Sequence, residues 1–181
     1  MTASLAEQGG TQHFLKPSFT ISGWYYSCAT TQYTAFCKQE SLPGLAEATW
    51  VCLEVDADSS FIISLMLSGV ETQYKVAGMK ALSGWTWFAI TLQEIYGNTI
   101  LTFYSGHDNY IAPFVAADFI VKVETVTLAG FYTDPLPAAK PQLKLYLGCR
   151  RNSDLICYRP MIGYFYQLKI WDSLALSSAQ L

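Results

Sequence analysis

Few residues in this chain have types and spacings that could do chemistry. The sharpest set is Glu54-Val55-Asp56-Ala57-Asp58, which places a carboxylate at every second position. On a β-strand that spacing puts the carboxylates on one face, roughly 6–7 Å apart. Retaining glycosidases use two carboxyls roughly 5–5.5 Å apart, so acid and nucleophile roles come within reach. Against this, Asp58-Ser59-Ser60 reads as a turn. A turn would take Asp58 off the strand and leave an acidic strand end running into a polar loop. The chain offers no Gly-rich phosphate loop, no Ser-His-Asp order and no Cys-His pair in a supporting context. The expectation is therefore a protein that is not an enzyme.

Calcium is a further possibility, since turns supply its oxygen ligands. Asp108 and Asn109 sit in one turn, Asn152 and Asp154 in another, and Asp172 follows a strand. They form no contiguous calcium loop, and each also reads as an ordinary turn former. Arg150, Arg151 and Arg159 make the one dense basic cluster. Arginine suits planar, bidentate contact with a carboxylate, so this loop could meet an acidic glycan or a protein. Trp24 and Tyr26 share a face of one strand, with Tyr33 near the following hairpin tip. These aromatics could stack on sugar rings or pack in a core.

The five cysteines are Cys28, Cys37, Cys52, Cys149 and Cys157. None stands in a zinc or redox spacing. Cys28 and Cys37 flank the predicted hairpin tip around Thr31 to Tyr33, and Cys149 and Cys157 bracket a polar loop. The expectation is a disulfide in each pair, with Cys52 left over and an extracellular setting. The alternative is five reduced cysteines packed as small hydrophobes.

The 181 residues are enough for one domain with a full core. Half of them are hydrophobic, 14% are charged, and Tyr, Phe and Trp number twelve, ten and five. This excludes disorder and favours strands. A net charge of −3 gives no reason to bind nucleic acid, which calls for a basic stripe. No run reaches the roughly 18 apolar residues of a membrane helix, so no membrane insertion is expected. Residues 1–12 read as a flexible arm without a secretory signal, and residues 13–181 as the domain. The protein is then either intracellular or a domain of a longer secreted chain.

Alternation with period two runs through most of the chain. It predicts strands from Phe19 to Cys28, Tyr33 to Lys38, Trp50 to Val55, Phe61 to Leu67, Val70 to Val76, Trp85 to Leu92, Thr99 to Tyr104, Val121 to Phe131, Leu143 to Leu147 and Gly163 to Trp171. Ser68-Gly69 and Gly97-Asn98 are hairpin signals, Thr133 to Pro141 a Pro-rich loop, and Leu174 to Leu181 a short helical turn. Many short strands with almost no helical periodicity predict an all-β sandwich or barrel.

The order of these segments carries a resemblance. Phe19-Thr20-Ile21-Ser22-Gly23-Trp24 resembles the opening strand of the concanavalin A-like lectin and glucanase superfamily, in its laminin G and pentraxin-like branch. Trp85-Thr86-Trp87-Phe88-Ala89-Ile90-Thr91 with Leu101-Thr102-Phe103-Tyr104-Ser105-Gly106 resembles its central hairpin. Leu145-Tyr146-Leu147-Gly148, a polar loop and Gly163-Tyr164-Phe165-Tyr166-Gln167-Leu168-Lys169-Ile170-Trp171-Asp172 are similar to its closing strands. The resemblance implies a two-sheet antiparallel jelly roll that binds glycan or protein, often with calcium. It would be a recognition module of a larger extracellular or surface protein, or a structural subunit assembling with further copies. Glu54, Asp56 and Asp58 approach the glucanase pattern of the family, but Asp58 stands where a second Glu is expected. In the closing strand, Tyr164, Tyr166, Leu168 and Ile170 are expected to point inward.

Overall fold

The computed structural model describes residues 4–6, 18–29, 31–40, 48–81, 84–108, 121–130, 144–152, 156–172 and 174–181. Two antiparallel sheets pack face to face. In spatial order, one sheet holds β1 (Ser4–Ala6), β10 (Lys144–Leu147), β3 (Tyr33–Glu40), β4 (Ala48–Val55), β5 (Ser60–Leu67) and β6 (Val70–Lys80). The other holds β13 (Gly163–Asp172), β2 (Phe19–Ser27), β7 (Gly84–Ile95), β8 (Asn98–Asp108) and β9 (Val121–Ala129). A separate two-stranded ladder joins β11 (Arg150–Arg151) to β12 (Cys157–Tyr158). Of the sandwich or barrel that the alternation predicts, the architecture is the sandwich, in the jelly-roll form that the resemblance implies. Residues 4–6, expected within a free arm, instead pair with β10 as an edge strand. The Pro-rich loop at 133–141 lies outside the described residues.

Local chemistry explains the hairpins. Tight two-residue connections favour turns with positive φ at both central residues, because their twist matches that of the flanking strands. Ser68 and Gly69 have φ of 48° and 80°, Tyr96 and Gly97 of 49° and 78°. The second turn therefore falls one residue earlier than the Gly97-Asn98 reading, and Asn98 opens β8 opposite Ile95.

The core lies between the sheets. Phe19, Ile21 and Tyr25 of β2, Phe88, Ile90 and Leu92 of β7, and Leu101 and Phe103 of β8 face Phe36, Val51, Leu53, Val55, Phe61, Ile63 and Leu65. Phe36 stacks on Phe88 with centroids 5.6 Å apart, and Phe61 meets Phe103 at 4.9 Å. Burying each such side chain contributes roughly 1.5–3 kcal/mol. Tyr33 belongs to this core. It is 5% exposed and hydrogen-bonds the Tyr25 hydroxyl at 3.4 Å, so it is not at an open hairpin tip. Burial pushes the Tyr25 hydroxyl well above its ordinary pKa and keeps it neutral.

That displacement has a topological cause. β2 pairs with β7 and β13, whereas β3 pairs with β4 and β10. The segment after Ser27 is thus a crossing from one sheet to the other, where the alternation suggested a hairpin. Period-two patterning gives the strand but not its neighbour.

The closing strand departs from plain alternation. The β13–β2 register slips between Tyr166 and Lys169, and Gln167 takes φ of 50°. This β-bulge sends Phe165 inward upstream, and Leu168 and Ile170 inward downstream. Tyr164 and Tyr166, expected inside, are 68% and 58% exposed. Gly23 makes room for the extra residue, since a Cβ there would come within 3.1 Å of Leu168 Cδ1 and 3.2 Å of its Cα. After β13, the chain folds back over the outer side of this sheet. The Leu176 amide donates to Thr20 Oγ1 at 2.8 Å, and that hydroxyl donates to the Leu174 carbonyl at 2.9 Å. The helical turn predicted over Leu174 to Leu181 is confined to the last residues, where Ser177 O accepts from Gln180 N at 3.0 Å and Leu181 N at 3.3 Å.

Candidate functional site

The outer face of each sheet holds a different set of polar and aromatic groups. On the six-stranded sheet, the segment containing β11 and β12 crosses over the strands. Gly148 N donates to Ala35 O at 2.7 Å, and Thr34 N to Arg159 O at 2.8 Å. The Gln39 amide imitates a ladder partner, donating to Arg151 O at 2.6 Å and accepting from Arg151 N at 3.2 Å.

Glu54 lies beneath this segment and is fully buried. Its carboxylate accepts from Arg159 Nη1 at 3.0 Å and Thr34 Oγ1 at 3.3 Å, with Arg150 Nη1 at 3.8 Å. Arg150 is 7% exposed and also donates to Thr49 Oγ1 at 2.7 Å and to both Glu71 oxygens at 3.0 and 3.1 Å. Tyr158 lies between two guanidiniums, with Arg150 and Arg159 each 5.8 Å from its ring. The Arg151 guanidinium lies 4.9 Å from the Tyr146 ring. Arg150 and Arg159 therefore neutralise a buried carboxylate of their own chain, and Arg151 covers an aromatic ring.

The three carboxylates do not form one acidic site. Asp56 and Asp58 lie beyond the end of β4, in the predicted turn. Asp58 accepts from Ser60 N and Oγ at 3.0 Å, and Lys75 bridges Asp58 and Asp56 at 3.1 and 3.3 Å. These exposed pairs fix the turn and leave Glu54 without an acidic partner on its strand.

The cysteine pairing differs from the expectation. Cys37 bonds to Cys52, directly opposite on β4, with Cα atoms 4.0 Å apart. Cys28 follows the end of β2 in the other sheet and is not the partner of Cys37. Cys28 is an exposed thiol, and Cys149 and Cys157 are thiols too. In the small ladder Cys157 faces Arg151, so Cys149 is offset from it. Burial, then the neighbouring Cys157, pushes the Cys149 thiol up to about 12. The Cys37–Cys52 bridge spans a sequence separation of 15, a loop whose closure contributes about 3 kcal/mol. Alkylation followed by mass spectrometry should label three cysteines in unfolded, unreduced protein and all five after reduction. Under native conditions Cys28 should react first and Cys149 should resist. Five labels without reductant would rule out the bridge.

For the predicted metal residues, Asp108 ends β8 opposite Trp85, and Asn109 and Asp154 lie outside the described residues. Among the described residues, no group of three or more His, Cys, Asp or Glu is placed to hold a metal ion.

The five-stranded sheet presents the other surface. Alternation along β2 sends Trp24 and Tyr26 away from the core, and the registers align them with neighbours of the same kind. Tyr164, Tyr26 and Trp85 form one row across β13, β2 and β7, and Tyr166, Trp24 and Trp87 the next. Rows lie roughly 6–7 Å apart along the strands, and neighbouring strands about 4.8 Å apart. Tyr26 and Trp85 are tilted with centroids 5.8 Å apart, and Trp85 meets Tyr166 edge-on at 6.4 Å. Tyr164 and Tyr166 are the most open of the six, and the others are half-buried. Gln167 donates to the Tyr166 hydroxyl at 3.2 Å. Ser22 and exposed Lys169 occupy the row below, and the carboxy-terminal tail closes the face further on. Such a panel offers π faces to the electropositive C–H edges of a flat ring, with phenol and indole groups able to hydrogen-bond.

The alternation on β2 revealed Trp24 and Tyr26. Trp85 and Trp87 carry the same period-two signal on β7, whereas Tyr164 and Tyr166 were hidden by the bulge. Tyr33, Arg150 and Arg151 do not join this panel.

No protein-family model matches the chain, and no curated protein matches it in sequence. Solved structures do. The CBM40 module of the Ruminococcus gnavus IT-sialidase, bound to α2,3-sialyllactose, aligns with a TM-score of 0.61 at 12% identity, covering 100% of this chain and 96% of that one. The same module bound to α2,6-sialyllactose gives 0.57 at 11% identity, covering 100% of this chain and 96% of that one. The leech intramolecular trans-sialidase, complexed with 2,7-anhydro-Neu5Ac, gives 0.62 at 15% identity over 100% of this chain and 27% of that one. The fold is thus a two-sheet jelly roll shared with these solved structures. Within that class, the chain is similar over its full length to a carbohydrate-binding module.

Proposed function

We propose that this chain is a non-catalytic glycan-recognition module of a larger extracellular or surface protein, and that the panel of Trp24, Tyr26, Trp85, Trp87, Tyr164 and Tyr166 is its binding face. The observation that carries this reading is the panel itself. Six aromatic side chains converge on one outer face, where core packing does not require them. The full-length likeness to a carbohydrate-binding module supports it. The bridge between Cys37 and Cys52 suits an oxidising compartment. Glu54, held by two guanidiniums, is poorly placed for acid or nucleophile work.

Glycan-array binding followed by titration of hits tests this, run with calcium and with chelator. Trp24→Ala should weaken binding at least about tenfold, equivalent to about 1.4 kcal/mol of lost stacking. Its unfolding midpoint should stay close to that of the parent. Absence of glycan binding in either buffer, or full binding by Trp24→Ala, would sink the proposal.

A second reading keeps the face and changes the occupant. Tyr164 and Tyr166 on the edge strand β13 and Ile162 just before it are all at least 58% exposed, which also suits contact with another copy in an assembly. Concentration-dependent association abolished by Tyr164→Ser, without glycan binding, would favour it.

A further inference from the structure

We infer that the aromatic panel selects neutral saccharides and gains nothing from a sialic acid or uronate carboxylate. This rests on the panel being the glycan-binding face and goes beyond that reading by naming the ligand class. The fold alone would suggest otherwise, since the similar module was solved with sialylated ligands.

Tight recognition of a sugar carboxylate calls for a planar, bidentate donor with a lasting positive charge, which is the particular chemistry of arginine. The chain has three arginines, at 150, 151 and 159, and all serve the opposite sheet. Arg150 is held by Glu71, Thr49 and Glu54, and Arg159 by Glu54. Arg151 lies over Tyr146 and is anchored through its backbone by Gln39. Freeing Arg150 or Arg159 would leave Glu54 buried and less well compensated, so neither can be recruited at low cost.

On the panel side, the rows across β13, β2 and β7 contain tyrosines and tryptophans alone. The described cation of that face is Lys169, level with Ser22 and one row beyond Trp24. A lysine is a compact, strongly hydrated point charge at an exposed position, and salt screens it readily. The net charge of −3 opposes anionic ligands at longer range. What remains is stacking against apolar ring faces, with hydroxyl and indole donors at the edges. That chemistry reads the C–H faces and hydroxyls of neutral pyranoses.

The test is an array of oligosaccharides in matched pairs, each neutral core beside its sialylated or uronate form, probed with the full chain at about 0.05 and 0.5 M salt. The expected result is that acidic forms bind no more tightly than their cores. Affinities should change less than about threefold between the two salts, because stacking is little screened. Lys169→Gln should leave the acidic-to-neutral ratio unchanged, while Trp87→Ala weakens both members of every pair. Acidic forms bound more than about tenfold above their cores, with a preference that salt or Lys169→Gln removes, would overturn neutral selection and leave the panel intact. Binding that survives Trp24→Ala and Trp87→Ala, or no saccharide binding at all, would instead overturn the panel reading, and this inference with it.

Discussion

Glu54→Ala is expected to destabilise the fold by roughly 3–5 kcal/mol, read as a lowered midpoint in urea unfolding at unchanged slope. The cost comes from what stays behind. Arg150 and Arg159 converge on the buried carboxylate, and removing it leaves Arg150 charged at 7% exposure with one of its carboxylates gone. Glu54→Gln keeps the shape and some hydrogen bonding, so it should cost less than the alanine variant. Arg159→Ala should cost less again, because that side chain is 33% exposed and solvent already shares its charge. The panel lies on the other sheet, so glycan binding by folded Glu54→Gln should match the parent. Loss of a hydrolytic activity at full stability would be the opposite signature, that of a catalytic carboxylate. An alanine variant within about 0.5 kcal/mol of the parent would show that Glu54 does not hold the crossing segment.

The second large effect is expected from Gly163→Ala. Gly163 opens β13 opposite Ser27, and a Cβ there would run into the carbonyl of Tyr26, with Ser27 Cα 3.1 Å away. The obstacle is backbone, so no change of rotamer relieves it and the strand must shift. Overpacking of this kind costs roughly 1–3 kcal/mol. The shift also falls beside Tyr164 and next to Tyr26, which share a row of the panel. Gly163→Ala should therefore lose stability and glycan affinity together, whereas Trp24→Ala should lose affinity alone. Thermal unfolding and titration on the same samples separate the two. A Gly163→Ala protein with parental stability and affinity would show that the close approach is absent in solution.

Much of the scaffold was readable from residue order. Phe19, Ile21 and Tyr25 against Trp24 and Tyr26 gave a strand with a core side and an outer side, and both sides are occupied accordingly. The turn chemistry of Ser68-Gly69 placed its hairpin to the residue, and that of Tyr96-Gly97 to within one. What could not be read depended on partners distant in sequence. Cys28 and Cys37 looked opposed because a short polar link resembles a hairpin, yet the same length spans the gap between sheets. Arg150 and Arg159 looked like a surface cluster because Glu54 lies about a hundred positions earlier, at separations of 96 and 105. Tyr33 looked exposed for the same reason as Cys28, its strand having been given the wrong neighbour. The panel was half visible, since each strand declared its own aromatics but only the register sets them side by side.

The bulge at Gln167 divides β13 into two parts of opposite sequence phase. Downstream, Leu168 and Ile170 tether the strand to the interior. Upstream, Tyr164 and Tyr166 are displayed on the panel. Deleting Gln167 would restore strict alternation with Phe165, Leu168 and Ile170 still inward and the tyrosines still displayed. Straightening the strand with Gln167 kept would instead turn the tyrosines inward in place of Phe165. A single inserted residue thus shifts the sequence pattern by one while both halves of the strand keep their hold on the interior, through Phe165 before the bulge and Leu168 and Ile170 after it.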